Sequence, residues 1–320
     1  MLLTGSTGFV GSHLFGVLEQ AGFDVIGATR DPQAATARSP GRTFRALDVR
    51  EEATLEPAMQ GCDAAVYLVH SMADAKDYDD VEQRSAQAFA RAAREAGLRR
   101  IVYLGGIKPS GRPSRHLMSR LKTGAALRDG TVPTIELQAS MIIGAGSESF
   151  RIVRDLSARL PMMLLPAWLE TRTEPIALDD VTAAIAHALR IDHPESAAYA
   201  LPGPEVMSCR EILLRTAEHL GHAPRMWGVP FVSPHLSSYW ITLVTRADKN
   251  VARELVEGLR SDLLARDAGF WRLYPEHRRL SFHEALLRAL PEEERALSPK
   301  ARWLERVVHE IAPRPGKRAG

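Results

Sequence analysis

Three glycines near the N-terminus are spaced as in loops that bind the pyrophosphate of a dinucleotide. Gly5, Gly8 and Gly11 follow a short apolar segment and precede a helical pattern. There the first glycine allows a tight turn, the second lets a pyrophosphate approach, and the third lets the helix pack on the strand. The N-terminus of the helix would offer free N–H groups and the positive end of its dipole to the phosphates. The predicted cofactor loop consists of Gly5, Ser6, Thr7, Gly8, Phe9, Val10 and Gly11.

The end of the second predicted strand bears on which dinucleotide binds. Arg30 lies 19 residues after Gly11, about where an NAD-dependent enzyme carries an acidic residue for the adenosine ribose. An arginine there can pair with a 2′-phosphate through two parallel N–H bonds, which favours NADP(H). Asp31 is the counter-argument, because a shift of one residue would make it the ribose acceptor and the cofactor NAD(H). Both alternatives remain open, with NADP(H) favoured.

Further cofactor contacts are predicted after the next two strands, because ligands of this kind of sheet bind beyond the carboxyl ends of its strands. Asp48 and Val49 end the third predicted strand, where a carboxylate and a backbone group can meet the adenine. An aspartate that caps a helix or stabilises a turn explains Asp48 equally well. Val69, His70 and Ser71 end and follow the fourth strand and would line the cofactor or the substrate. A structural hydrogen bond is the alternative for His70.

Hydrophobic periodicity predicts the elements that position these residues. Up to about residue 200, short β-rich segments alternate with amphipathic helical segments. Strands are predicted at 2–4, 23–28, 43–47, 64–69 and 100–104, and helices at 9–21, 51–59 and 81–96. Such alternation predicts a doubly wound α/β fold with a parallel sheet of the Rossmann type. The first strand is short for a buried central strand.

Beyond residue 201 strand signals are sparse and the pattern becomes mainly helical. Helices are predicted at 208–220, 250–265, 282–290 and 300–311. We therefore expect an NAD(P)-binding domain over residues 1–200 and a smaller, mainly helical cap over residues 201–320. Two apolar segments, 160–169 and 239–241, would suit a hydrophobic or quinone-like ligand. An inter-domain core explains the same two segments.

Composition excludes several classes of protein. The 41 basic and 39 acidic side chains show no basic stripe of the kind that nucleic-acid binders carry. Cys62 and Cys209 match no metal spacing and indicate a reducing compartment without disulfides, and no other group of residues has the spacing of metal ligands. The longest apolar segment is too short to span a bilayer, and the early glycine loop leaves no room for a signal peptide. A cytoplasmic protein without a metal site is expected.

The motif Thr4-Gly5-x-x-Gly8-x-x-Gly11 resembles that of the extended and atypical short-chain dehydrogenase/reductase superfamily. Within it, residues 67–72, 101–106, 142–150 and 172–177 resemble NmrA-like proteins and the NADPH-carrying 39 kDa-type subunit of respiratory complex I. Residues 236–245 resemble the beginning of an uncharacterised C-terminal module of bacterial members. The resemblance implies a bound NADP(H) and a substrate cleft between the sheet and the cap.

The catalytic residues that this resemblance implies are replaced here. The superfamily uses a serine, a tyrosine that transfers a proton, and a lysine four residues later that lowers the pKa of the tyrosine. Gly105 and Gly106 stand at the serine position, and Met118 stands four residues before Lys122. Lys122 remains a candidate catalytic residue, because it can bind the nicotinamide ribose or polarise a substrate alone. The alternative for Lys122 is a solvated lysine on the surface of a helix. His116 is a second candidate, although six residues separate it from Lys122, so that the two do not share a helix face well.

Two functions fit these features. One is an NADP(H)-dependent oxidoreductase that acts on a hydrophobic small molecule of unknown identity without the usual triad. The other is a non-catalytic protein that binds NADPH as a structural or redox-sensing ligand and regulates or helps to assemble a protein partner. Turnover of bound NADPH by a carbonyl, enone or quinone compound separates the two.

Overall fold

A seven-stranded parallel sheet forms the centre of the protein. The structure is a computed structural model that describes residues 1–70, 78–229, 244–246, 253, 257–258 and 261–311. The sheet contains β1 (Leu2–Leu3), β2 (Ile26–Thr29), β3 (Thr43–Ala46), β4 (Ala64–Tyr67), β5 (Arg100–Gly106), β6 (Thr134–Ala139) and β11 (Ala197–Ala200), numbered in chain order. Its strand order is β11-β6-β5-β4-β1-β2-β3, and every pairing is parallel. The doubly wound sheet predicted from strand–helix alternation is confirmed.

Three pairs of short strands lie outside this sheet. They join β7 (Ile142–Ile143) with β10 (Ile176–Ala177), β8 (Met162–Pro166) with β13 (Arg225–Val229), and β9 (Arg172–Thr173) with β12 (Met207–Ser208). The first two pairs are parallel and the third is antiparallel. Strands therefore continue into the C-terminal region, where the sequence signal for them is sparse.

Helices cover both faces of the sheet. They are α1 (Phe9–Gln20), α2 (Pro32–Arg38), α3 (Leu55–Met59), α4 (Tyr78–Glu95), α5 (Arg115–Arg128), α6 (Glu148–Arg159), α7 (Leu178–Ala188), α8 (Cys209–His219), α9 (Phe282–Arg295) and α10 (Pro299–Ile311). Successive side chains of a strand point to opposite faces, so Leu2 packs in the cluster that contains Phe89 of α4, and Leu3 in the cluster that contains Leu14 of α1. None of the described helices is long and apolar enough to cross a membrane.

The second strand begins three residues later than the sequence predicts. Gly22 has a φ of +82°, and the N–H of Phe23 donates to the carbonyl of Leu18 at 3.0 Å. This bond closes the C-terminus of α1 in the manner of a glycine-capped helix. Phe23 therefore belongs to the end of the helix, and the strand starts at Ile26.

The C-terminal region corrects two predicted helices. Helix α9 does not end before Pro291 but continues to Arg295. Residues 261–265 are not helical, and Leu263 forms a β-bridge with Thr173. Most of the predicted helix 250–265 and the segment 239–241 lie outside the described residues. The boundary at residue 200 remains a prediction, and β11, the last described strand of the sheet, ends there.

A network of six charged side chains fixes α9 and α10 on α6. Arg246 contacts Asp155 and Glu293 at 3.0 Å or less, and Arg154 contacts Glu305 at 2.7 Å through its Nη2 atom. The members are Arg154, Asp155, Arg159, Arg246, Glu293 and Glu305. Three positive and three negative side chains compensate each other in a largely buried place, where one unpaired charge would be costly.

Candidate functional site

The glycine loop has the geometry that binding of a pyrophosphate requires. Gly5 has a φ of +61°, a conformation that favours glycine. A Cβ atom on Gly11 would lie 2.1 Å from the carbonyl oxygen of Gly5, so only glycine lets α1 pack this closely on the loop. The N–H of Gly8 donates to the same carbonyl at 2.9 Å and closes the turn.

The N-terminus of α1 offers its backbone N–H groups to a ligand. Gly8 is the N-cap residue, and no side-chain hydrogen bond caps the helix within the described part of the chain. A helix leaves its first N–H groups without intrahelical partners, and they form an anion-binding site. Thr7 and Gly8 are exposed beside them, while Ser6 is buried and donates to the carbonyl of Ala28 at 3.0 Å. These features fit the phosphates of a dinucleotide.

The two candidates for the adenosine ribose have different surroundings. The Asp31 carboxylate accepts the N–H of Ala34 at 2.9 Å and caps α2. Arg30 is exposed directly after β2. Since the carboxylate of Asp31 already has a structural partner, the arrangement favours Arg30 as the side chain that meets the cofactor.

Asp48 is held by its neighbour in the chain. Arg50 donates to the Asp48 carboxylate through Nε at 3.0 Å and Nη2 at 2.6 Å. These hydrogen bonds, aided by the charges of Arg50 and Arg30, lower the pKa of Asp48 to about 2. Val49 follows as a buried residue. An adenine at the end of β3 would therefore meet a permanently charged, oriented carboxylate.

Two histidines and an arginine come together beyond the carboxyl ends of β4 and β5. The rings of His70 and His116 have centroids 5.8 Å apart. Arg120 lies one helical turn after His116 on α5, and its Nη2 donates to the carbonyl of Leu104 at 2.9 Å. Val69 packs against the hydrophobic core, and Ser71 lies outside the residues that the structure describes. Arg120 was not among the residues predicted from the sequence, although its spacing of four residues from His116 is that of neighbours on a helix.

In the cluster of His70, His116 and Arg120, the arginine carries the positive charge. Burial, reinforced by the charge of Arg120, lowers the pKa of His116 to about 3. His70 is exposed, but the protein atoms on its other side desolvate the ring and, with the charge of Arg120, lower its pKa from the ordinary value. Both imidazoles are therefore neutral near pH 7, while an arginine keeps its charge.

The low pKa of His116 makes stability dependent on pH. Between about pH 3 and the ordinary value of 6.5, an unfolded chain binds a proton at this histidine that the folded protein does not. The free energy of unfolding should therefore fall as the pH decreases below 6.5. We expect the thermal midpoint to be lower at pH 5 than at pH 7. In His116→Asn the difference between these two midpoints should be smaller by a few degrees. An equal pH dependence in the two proteins would contradict the assignment.

Lys122 lies on another side of α5. It lines a groove between α4 and α5 together with Gln83, Gln87 and Arg91. The structure therefore brings His116 and Arg120 together but does not bring Lys122 to them.

The last two residues of β5 are tightly packed. A Cβ atom on Gly106 would lie 2.5 Å from Cδ1 of Leu117, and one on Gly105 would lie 2.7 Å from Oε1 of Glu136. A larger residue at either glycine would require its neighbour to move.

The loop between β7 and α6 reaches the cofactor loop. Cβ atoms on Gly144 and Gly146 would lie within 3.3 Å of the ring of Phe9. The N–H of Gly146 donates to Oε1 of Glu293 on α9 at 2.7 Å. The buried charge network thus ends at the loop that faces the start of α1. No local sequence signal marks Glu293 for this role.

The described part of the chain contains no group of three or more His, Cys, Asp or Glu side chains that could hold a metal ion. Both cysteines are buried, and burial raises the pKa of the Cys209 thiol to about 11.

The strand order of the parallel sheet reverses between β1 and β4. The glycine loop follows β1 and leads into α1, whose N-terminus has no side-chain cap. This arrangement defines a dinucleotide-binding protein of the Rossmann type. A family model described as NAD(P)H-binding matches residues 5–131. A (4-alkanoyl-5-oxo-2,5-dihydrofuran-3-yl)methyl phosphate reductase of Streptomyces griseus is 30% identical over 233 residues, which cover 70% of this chain and 75% of the reductase. The chain therefore belongs to the NAD(P)H-binding family.

A further relative and a solved structure with the same fold are also similar to the chain. The mitochondrial NADH dehydrogenase [ubiquinone] 1 alpha subcomplex subunit 9 of Mus musculus is 22% identical over 74% of this chain and 64% of the subunit. The triphenylmethane reductase of Citrobacter sp., solved in complex with NADP(H), shares the fold with a TM-score of 0.72 and 16% identity. That alignment covers 90% of this chain and 99% of the reductase. The resemblance seen in the sequence motifs is confirmed.

Proposed function

We propose that the protein is an NADP(H)-dependent reductase of a conjugated carbonyl compound, such as an enone or a quinone. The observation that carries the proposal is the cluster of His70, His116 and Arg120 beyond the carboxyl ends of β4 and β5. Ligands of this fold bind at that edge of the sheet, beside the glycine loop.

The chemistry of the cluster favours this class of substrate over a simple ketone. Bound NADPH supplies a hydride. A simple ketone becomes an alkoxide when it accepts a hydride, and it needs an acid such as the tyrosine that this sequence lacks at the family position. Both histidines are neutral near pH 7 and carry no imidazolium proton to donate. In an enone or a quinone the added electron pair is delocalised onto a carbonyl oxygen, where a fixed cation such as Arg120 would stabilise it. Water can then protonate the resulting enolate or phenolate.

The relatives support the same class. The substrate named for the Streptomyces griseus reductase is a 5-oxo-2,5-dihydrofuran with a 4-alkanoyl group. Such a ring has a C=C bond conjugated with two carbonyl groups. We extend only this chemical class, and not the particular compound, to the present chain.

NADP(H) is the proposed form of the cofactor, and Arg30 its determinant. We expect Arg30→Ala to weaken NADPH binding by about 10- to 100-fold, the loss of charge-assisted hydrogen bonds, while NADH affinity stays unchanged. Parallel fluorescence titrations with the two cofactors measure both affinities. Arg38→Ala is the matched control, because Arg38 is also exposed but lies at the end of α2. Equal losses for NADPH and NADH would contradict the role of Arg30.

The proposed reaction is tested by NADPH oxidation with a panel of acceptors. The panel contains an acyl-substituted dihydrofuranone, a benzoquinone and a simple cyclic ketone. We expect oxidation with the first two and none with the ketone. The rate should hardly change between pH 7 and 8, since the pKa values of both histidines are lowered from the ordinary 6.5. Oxidation by the ketone alone would contradict the proposal.

A non-catalytic NADPH-binding protein is the second candidate. The replacement of the family's serine and tyrosine in this sequence favours it. Tight NADPH binding without oxidation by any member of the panel would support this alternative.

A further inference from the structure

Helix α10 exposes large apolar side chains to solvent. The exposed fractions are 60% for Trp303 and 42% for Leu304. Val307, one turn after Trp303, is only partly buried. Neighbouring exposed apolar side chains of this size mark surfaces that bind another molecule or a membrane.

The orientation of α10 is held by contacts on its opposite side. Val308 is buried, and Glu305 binds Arg154 and Arg159 of α6. Because residues 305 and 308 face the protein, the periodicity of the helix directs Trp303 outward. The exposure of Trp303 therefore follows from the buried charge network rather than from a loose helix end.

Positive charge is concentrated on and after the same helix. Lys300, Arg302 and Arg306 are exposed around Trp303. Residues 299–320 contain six of the 41 basic side chains and two of the 39 acidic ones. The preceding chain therefore has 35 basic and 37 acidic side chains, so the net positive charge of the protein resides in this segment. One of its two acidic residues, Glu305, is already neutralised by arginines of α6.

We propose that α10 binds the surface of an anionic lipid membrane. An interfacial helix needs an apolar side that enters the headgroup region and basic side chains that meet anionic lipids. Trp303 and Leu304 supply the apolar contact, and tryptophan is a residue enriched at membrane interfaces. Lys300, Arg302 and Arg306 supply the charge. The mixture of exposed apolar and basic side chains on an otherwise slightly acidic protein favours lipid over a second copy of the chain, whose like charge would repel it.

The test is co-sedimentation of the full chain with lipid vesicles. Vesicles of phosphatidylglycerol and phosphatidylcholine in equal parts should bind the protein, and vesicles of phosphatidylcholine alone should not. High salt should weaken the binding, because ions screen exposed charges. Arg306→Gln should reduce the partition coefficient about fivefold, the effect of one basic side chain near such a surface. Trp303→Ala should reduce it about tenfold or more, the effect of burying one large apolar side chain.

Trp227→Ala is the matched control. Trp227 is 51% exposed but lies on β13, which is not part of the basic segment 299–320. Its replacement should leave vesicle binding unchanged, and circular dichroism should show that all variants keep their helices. Equal binding to both kinds of vesicle, no binding to either, or equal losses in the two tryptophan variants would overturn the proposal. So would a dimer in light scattering that Trp303→Ala dissociates while vesicles remain unbound, since the helix would then be an interface between copies.

Discussion

Gly8→Asp is expected to weaken NADPH binding on the order of 100-fold or more while the protein keeps its stability. The introduced carboxylate would stand at the N-cap of α1, where it repels the pyrophosphate and accepts hydrogen bonds from the same N–H groups. Loss of charge-assisted hydrogen bonds to phosphate accounts for a fall of this size. An aspartate at an N-cap stabilises a helix at least as well as glycine does, so the thermal midpoint should stay level or rise slightly. Fluorescence titration with NADPH and a thermal melt measure the two effects.

Gly8→Ala separates charge from size at the same position. A Cβ atom there would lie 3.2 Å from the carbonyl oxygen of Gly5, which is tight but requires only a small shift. We expect a much smaller loss of affinity in Gly8→Ala than in Gly8→Asp. Unchanged affinity in Gly8→Asp would contradict the assignment of the cofactor loop.

Arg120→Ala should reduce kcat by about 10²- to 10³-fold, the usual effect of removing one donor that stabilises a developing oxyanion. NADPH affinity should change little, because Arg120 lies on α5 and not at the glycine loop. The KM of the acceptor should change less than kcat, since the charge on oxygen develops only in the transition state. Steady-state kinetics with the acceptor that proves active would measure the two constants.

Lys122→Ala is the informative comparison. Lys122 is a catalytic candidate by its sequence position, whereas in the structure it lines the groove between α4 and α5. Full activity in Lys122→Ala beside a large loss in Arg120→Ala would place the chemistry on the side of α5 that carries His116. A large loss in Lys122→Ala alone would restore the sequence-based assignment and remove Arg120 from the mechanism.

The central strands of the sheet were predictable because they are buried on both faces. Apolar residues such as Val66 and Val102 form continuous segments that alternate with amphipathic helices. The start of β2 was not predictable from apolar content, since Phe23 is apolar but its N–H group completes the end of α1. Local hydrogen bonding, and not hydrophobicity, determines that boundary.

The side of α5 that packs against α4 and the sheet could not be predicted from periodicity. Ser119, Thr123 and Gly124 are buried there, so polar and small residues occupy positions that a helix usually fills with large apolar ones. Without an apolar stripe, the choice between Lys122 and Arg120 depends on contacts with β5 that only the folded protein provides.

The continuation of α9 past Pro291 also could not be predicted from the sequence. Proline in a helix interior removes a hydrogen bond and usually ends or bends the helix. Here the following turn carries Glu293, which is 2% exposed and binds both Arg246 and the N–H of Gly146. We attribute the continuation of the helix to these tertiary contacts, which lie far away in the sequence.

The hydrogen bond between Gly146 and Glu293 also sets an order of assembly while the chain is being synthesised. The donor and the acceptor are 147 residues apart. At about 5–20 residues per second, a ribosome needs roughly 7–30 s to progress from the first to the second. During that interval strands β1 to β6 and the glycine loop can already pack, but the loop at Gly146 has no acceptor from α9. The nascent protein therefore gains a nucleotide-binding sheet first. The loop at Gly146, which faces the start of α1, becomes fixed only when residue 293 has emerged.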